Sequence, residues 1–116
     1  MSQCEFCSPL PKVLQNDLAF TVYDINPVSQ GHTLIIPRRH VATFMDFSPL
    51  EWGAMFKLIV ETQSLLQNEL APDGFNLFVS SGKAAGQKIT HAHIHFIPRY
   101  KGQVVRISEE LAAEQL

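Results

Sequence analysis

Apolar and polar positions follow two different periods along this chain. Leu18 to Asp24 (LAFTVYD) is rich in β-branched and aromatic residues and stops at the turn signal Asn26-Pro27, which predicts a first strand. His32 to Ile36 is a second apolar run closed by Pro37; together the two predict a hairpin-like pair, with His32 at the start of its second strand. The period then changes. Ser48-Pro49-Leu50-Glu51 combines a serine cap, a proline at the first helical position and a glutamate that can reach back, so a helix is predicted from here to Glu69 or Leu70. Trp52, Met55, Phe56, Ile59, Leu66 and Leu70 recur along it at three-and-four spacing and predict the face that covers a sheet. Ala54, Leu58 and Leu65 form a narrower stripe on nearly the opposite side. In a monomer that stripe leaves apolar area in water, which predicts contact with a second subunit and hence a homodimer; the alternative is three tolerated surface residues.

Pro72-Asp73-Gly74 predicts a turn, Phe75 to Val79 a third strand, Ile89 to Ile97 a fourth ended by Pro98, and Val104 to Ile107 a short fifth. The tail from Ser108 reads as one or two helical turns, with Glu109 and Glu110 near the positive end. Strands, one long helix and more strands, without regular β-α-β alternation, predict an α+β domain with a mostly antiparallel sheet of about five strands.

Length and charge narrow the function. A chain of 116 residues with 46% apolar content suits one domain over 1–116, its first 12 residues being an arm. Nine Lys and Arg against 11 Asp and Glu provide no global positive field for nucleic acid or an anionic membrane, so a small-molecule partner is expected. No apolar stretch approaches the roughly 20 residues that span a bilayer, and the start Met1-Ser2-Gln3 lacks a basic segment before an apolar run, which predicts a soluble cytoplasmic protein. The two cysteines, Cys4 and Cys7, form no disulfide framework. A redox pair is expected to open a helix, whereas this one precedes Ser8-Pro9-Leu10-Pro11; that leaves half of a metal site, or two thiols in an irregular arm.

The chemistry concentrates in His91-Ala92-His93-Ile94-His95. Strand alternation predicts the three imidazoles on one side, about 7 Å apart, and Ala92, Ile94 and Phe96 on the core side. A metal site and a catalytic site both suit such a row. No Asp or Glu lies between Asp73 and Glu109, so the surroundings favour an anion. Gly82 and Gly86 in the loop Ser81 to Gln87 let backbone N–H groups approach a phosphate, and Lys83, Lys88, Arg99 and Lys101 are expected to add positive charge around it. Imidazole is substantially neutral at pH 7 and is a competent nucleophile toward phosphorus.

With this triad, the stretches Asp24 to Val28 and Gly31 to His40, the Ala85-Gly86-Gln87 loop and the Ile97-Pro98-Arg99 exit, nearly the whole chain resembles the histidine triad family. The resemblance implies a nucleotide phosphoryl hydrolase acting through a nucleotidyl-histidine on His93, with His95 and Gln87 binding the α-phosphate and His32 supporting the triad. It places Asp24 on the ribose hydroxyls, Phe6 and Ile25 around a purine base, and Gly86 and Ser80 near the phosphates. Phe6 and Ile25 read equally well as core residues. Relatives with an N-terminal Cys-x-x-Cys imply a structural zinc on Cys4, Cys7, His40 and His91, with no metal required by the chemistry; two thiolates and two imidazoles suit tetrahedral Zn²⁺. A binding protein with little turnover and a nucleotidyl transferase are the alternatives; the transferase branch carries glutamine at the position of His95. This chain departs from the family pattern at Ser80, where many relatives carry Asn or Gln, and at Lys88, where Ser or Thr is usual.

Overall fold

Pairing of the two β-branched runs starts the sheet. In the computed structural model, which describes residues 4–7 and 9–106, they are β1 (Ala19–Tyr23) and β2 (Thr33–Pro37), antiparallel with Phe20 opposite Ile36 and Val22 opposite Leu34. After α1 (Pro49–Leu70) the chain returns as β3 (Gly74–Phe78) and β4 (Ile94–Arg99), giving one four-stranded antiparallel sheet of order β1-β2-β4-β3. This is the α+β architecture the pattern predicts, with four strands among the described residues where about five were expected. Val104 to Arg106 form no strand, because no partner edge receives them in the ladder; Ile107 and the tail helix predicted from Ser108 lie outside the described residues.

Pro37 closes β2 as expected, whereas Pro98, expected to end the fourth strand, lies inside β4. Pro37 pairs with Ala19 and Pro98 with Phe75. β2 and β4 face each other only over Thr33–Ile35 and Ile94–Phe96, so each proline sits where its strand has a neighbour on one side. A missing N–H is tolerated at such a position.

The sheet is covered on both faces, which is why β1 and β2 are nearly continuous buried runs. Ala19, Ile35, Ala92, Ile94 and Phe96 pack with Met55 and Leu58 of the helix. Phe20, Val22, Leu34 and Ile36 pack on the other face with Phe6 and Ile89, beneath the N-terminal arm.

Ser48 opens α1 with a complete capping box: the Glu51 N–H donates to Ser48 Oγ at 3.1 Å and the Ser48 N–H to Glu51 Oε1 at 2.9 Å. The buried line of the helix is Glu51, Met55, Leu58, Thr62 and Leu66, and this corrects the face expected from apolar spacing. Leu58, assigned to the far stripe, is fully buried, while Trp52 and Phe56 are 43% and 65% exposed. Two polar residues occupy buried positions and two aromatics flank them, so counting apolar residues rotates the predicted stripe away from the true one. Glu51 is tolerated inside because Arg39 donates to both carboxylate oxygens, at 2.8 and 3.1 Å.

The Arg39 guanidinium and the Ser48 donors hold the Glu51 carboxyl below its ordinary range, overcoming the effect of burial. A depressed folded-state pKa adds stability that is present above the unfolded value near 4.5 and is lost as pH falls through the folded value. Arg39 is solvent-exposed, so screening weakens the ion pair itself. With the cap and buried hydrogen bonds included, Glu51→Ala is expected to cost about 2 kcal/mol at pH 7. Thermal melts of both proteins between pH 3 and 7 check this, and the difference should shrink below pH 4.5.

Candidate active site and metal centre

His91 and His93 precede β4 rather than belonging to it, because the strand begins at Ile94. The Ala92 N–H donates across to the Val41 carbonyl at 2.8 Å, taking the place of a ladder bond and laying the histidine segment against His40 and Val41. The segment is nevertheless arranged as alternation predicts: Ala92, Ile94 and Phe96 face the helix-side core, and the imidazoles face the arm side. All three are buried, at 0%, 5% and 3% exposure for His91, His93 and His95, so they are fixed groups rather than a solvated row.

Backbone groups decide which ring nitrogen of each carries the proton. His93 Nδ1 lies 2.8 Å from the His91 carbonyl, which can only accept, so Nδ1 holds the proton and Nε2 the lone pair. The Val28 N–H donates to His32 Nδ1 at 3.2 Å, which places the His32 proton on Nε2. His32 Nε2 is 3.0 Å from His95 Nδ1, making that nitrogen the acceptor and leaving the His95 proton on Nε2. The outcome is a lone pair on His93 Nε2 next to a donor on His95 Nε2, with the two rings 5.0 Å apart. Phe78 stacks on His95 at 4.7 Å and Phe6 meets His93 edge-on at 5.0 Å, which holds both rings in place.

His93 and His95 line a pocket together with Phe6, Val22, Asp24 and Ile25. Five side chains that the sequence reading assigns to the site, Phe6, Asp24, Ile25, His93 and His95, thus line one pocket. Asp24 Oδ1 accepts from the Asn26 N–H at 2.9 Å and Oδ2 lies 3.5 Å from His32 Nε2, so the carboxylate is fixed at the rim. Ile25 is 79% exposed and Phe6 8%, one a projecting flap and the other part of the core. Glu5, Leu10, Pro11, Tyr23, Leu34 and Ile89 also line the pocket and were not foreseen. Val22 could have been: alternation along the chain puts it on the same side as Asp24, the residue that follows β1.

Other expected residues are placed differently. The pocket wall does not include Ser80, Gly86 or Gln87. Gln87 Oε1 accepts from the Gly82 N–H at 2.8 Å, and Nε2 donates to the carbonyls of Ala42 and Ile89 at 2.6 and 2.9 Å, so its amide braces the loop from within. The Gly86 N–H also bonds inside the loop, to the Lys83 carbonyl at 3.0 Å. Positive φ values of 89° and 99° at Gly82 and Gly86 are what this tight turn demands of them. Ser80 is half-buried, two residues beyond the Phe78 ring that stacks on His95. Arg99 and Lys101 are not around the triad. Arg99 Nε donates to Asn76 and the Lys101 N–H to Asp73, at the far end of β4, about 13 Å of strand from His95.

A second cluster adjoins the first. Cys4, Cys7, His40 and His91 each offer one donor atom, all within 4.8 Å of one another. His91 Nδ1 is 3.1 Å from Cys4 Sγ and 3.5 Å from Cys7 Sγ, and His40 Nδ1 is 3.1 and 3.3 Å from the same atoms. Sulfur and nitrogen on a tetrahedral Zn²⁺ stand about 3.6 Å apart, so the four donors need only a small expansion to surround one ion. His91 is oriented for this: its Nε2–H donates to the Pro37 carbonyl at 2.8 Å, turning the unprotonated Nδ1 toward the thiols. Burial, reinforced by nearby His40 and His93, pushes the His91 pKa down and favours the neutral, ligating form. The hydrogen bond with the Cys4 thiol pushes the Cys7 thiol up to about 11. The donor set fits a soft tetrahedral metal.

The HIT domain model matches residues 7–102. The chain belongs to the HIT, or histidine triad, family. This HIT protein is 36% identical over 99% of its length to the adenylylsulfatase HINT3 of Arabidopsis thaliana, and the aligned part is 61% of that relative. It is 34% identical over 91% of its length to an uncharacterized HIT-like protein of Methanocaldococcus jannaschii, covering 88% of it. A zinc-bound histidine triad protein of Mycobacterium smegmatis superimposes with a TM-score of 0.80 at 29% identity, covering 89% of this chain and 79% of the other. Among the described residues no helix of this HIT protein is long and apolar enough to cross a membrane.

Proposed function

We propose that this HIT protein hydrolyses phosphoryl bonds of a purine nucleotide, either a nucleoside phosphoramidate or a dinucleoside polyphosphate, with His93 as nucleophile. The observation that carries this reading is the 2.8 Å bond from His93 Nδ1 to the His91 carbonyl, which puts the lone pair on Nε2 of a pocket-lining ring. Attack forms the Nε2–phosphorus bond and breaks the bond to the amine or phosphate, which departs with the electron pair; an amine takes its proton from solvent. The ring becomes cationic, and the His91 carbonyl stabilises it as the carboxylate does in a serine protease triad. His95 Nε2–H donates to the non-bridging oxygens, held in that tautomer by His32. Water then adds to phosphorus, the phosphorus–nitrogen electrons return to His93, and the surplus proton goes to solvent.

In this reading Phe6 and Ile25 enclose the base, and Asp24 accepts hydrogen bonds from the ribose hydroxyls. Gln87 and Gly86 act through the loop they brace rather than by grasping phosphate, and Ser80 flanks the leaving-group side. Cys4, Cys7, His40 and His91 hold a structural Zn²⁺; four protein ligands leave no open position, so it takes no part in the reaction. Exposed Trp52, Phe56 and Val60 on α1, with Leu77 on the edge strand β3, support a homodimer. Two thiolate ligands suit a cytoplasmic setting that keeps thiols reduced. The adenylylsulfatase among its relatives supports attack at an adenylyl phosphorus.

The test is incubation with an adenosine phosphoramidate and with a diadenosine polyphosphate, combined with acid-quenched mass spectrometry of the protein. Turnover of at least one substrate and a transient increase of one nucleotidyl group are expected. Tight binding of a nucleotide without turnover of either compound would replace the hydrolase by a binding protein.

A further inference from the structure

The metal cluster and the pocket share one short turn. The turn from Cys4 to Cys7 is closed by the bond from the Cys7 N–H to the Cys4 carbonyl at 3.1 Å. The two residues between them, Glu5 and Phe6, both line the pocket. The Phe6 ring touches the metal-side His91 at 5.9 Å and the pocket-side His93 at 5.0 Å, edge-on to each. A second connection runs through the backbone: His91 offers Nδ1 to the thiols while its carbonyl accepts the His93 Nδ1–H.

From this we infer that the Cys4–Cys7 turn couples the two centres, so that metal occupancy sets nucleotide affinity, with Phe6 as the positioning residue that transmits it. The inference rests on the nucleotide reading of the pocket. Cross-linking the turn to His40 and His91 fixes where its middle residues lie, and those residues are the arm-side wall. Without a metal the turn is held to His40 and His91 by sulfur–imidazole hydrogen bonds in place of metal–ligand bonds, and the wall samples positions that do not fit a base. Preorganisation of the wall is then lost, and binding must supply it. Coupling of this kind is reciprocal: nucleotide tightens metal by the same factor that metal tightens nucleotide.

Isothermal titration of AMP into zinc-loaded and chelator-treated protein measures the factor, and zinc competition with a chromophoric chelator, with and without AMP, measures its reciprocal. A loss of AMP affinity of about tenfold on metal removal is expected, matched in the second experiment. Phe6→Ala retains all four ligands but lacks the transmitting ring, so metal removal should change its AMP affinity less than about twofold. NMR of the His93 ring protons, recorded without nucleotide, should show them shift on metal removal as the Phe6 edge contact is lost. Equal AMP affinity in loaded and stripped protein, an undiminished effect in Phe6→Ala, or unmoved His93 signals each overturns the coupling. If the loaded protein binds no AMP, the nucleotide reading fails, and the His93 signals alone decide whether the turn links the two centres.

Discussion

His93→Ala should lower kcat on any accepted phosphoramidate or dinucleoside polyphosphate by at least about 10⁴-fold, the scale seen when a covalent nucleophile is removed. That corresponds to about 5.5 kcal/mol of lost transition-state stabilisation. Alanine also empties a buried site, since His93 is 5% exposed and touches Phe6 and His95, so a second substitution is needed to separate chemistry from packing. His93→Asn provides it. An asparagine side-chain amide can still donate to the His91 carbonyl, keeping the local bond, but it presents no nucleophilic nitrogen toward the pocket. Both variants should lose turnover and the nucleotidyl adduct together, while AMP affinity in His93→Asn stays within about threefold, under 1 kcal/mol. Steady-state assay, intact-protein mass spectrometry and AMP titration make the measurement. Retention of more than a tenth of wild-type kcat by His93→Asn, or an adduct that persists, moves the nucleophile elsewhere.

The sequence made the triad legible because strict alternation survives even where the ladder does not. His91 and His93 lie in an irregular segment, yet an extended backbone still places every second side chain on one side, so Ala92 and Ile94 reach the core as predicted. The capping box was equally readable, being local in sequence. The helix face was not, because Glu51 and Thr62 are buried for tertiary reasons that periodicity ignores: Arg39 satisfies the first from another segment. The internal bonding of the loop was not legible either. Glycine and glutamine chemistry suggests phosphate contact, but the Gln87 amide is taken up by Gly82, Ala42 and Ile89, and the Ala42 carbonyl is 45 residues away. Arg99, near the triad in sequence, is carried about 13 Å along the strand from His95. The pocket wall contributed by Glu5 and Leu10 carried no local signal, since only the return of the arm over the second face of the sheet brings them there. Family resemblance, not spacing, named the four sulfur and nitrogen donors, and the fold then brings them within 4.8 Å.

Removal of the metal should lower the melting temperature by about 10–15 °C, the larger of the two stability effects expected. The Cys7 and His40 ligands are 33 residues apart in sequence, and His91 lies 84 residues beyond Cys7. Bridging them closes long loops in the unfolded chain, as a covalent cross-link would. For a loop of this length the chain-entropy contribution is about 3–4 kcal/mol, and for a domain between the usual small and medium sizes each kcal/mol shifts the melting temperature by about 4 °C. Ligand binding adds to this through mass action at saturating metal. Cys4→Ser/Cys7→Ser should reproduce the effect of a chelator and be insensitive to added zinc, because hydroxyls do not replace thiolates on a soft ion. His40→Ala, which removes one exposed ligand and little packing, should lie between wild type and the double variant. Differential scanning calorimetry with metal analysis of each sample checks these expectations. A wild-type protein that holds no metal after zinc loading and dialysis, or one whose melting temperature is unchanged by a chelator, would leave the four ligands as a thiol and imidazole cluster that packs the arm without an ion.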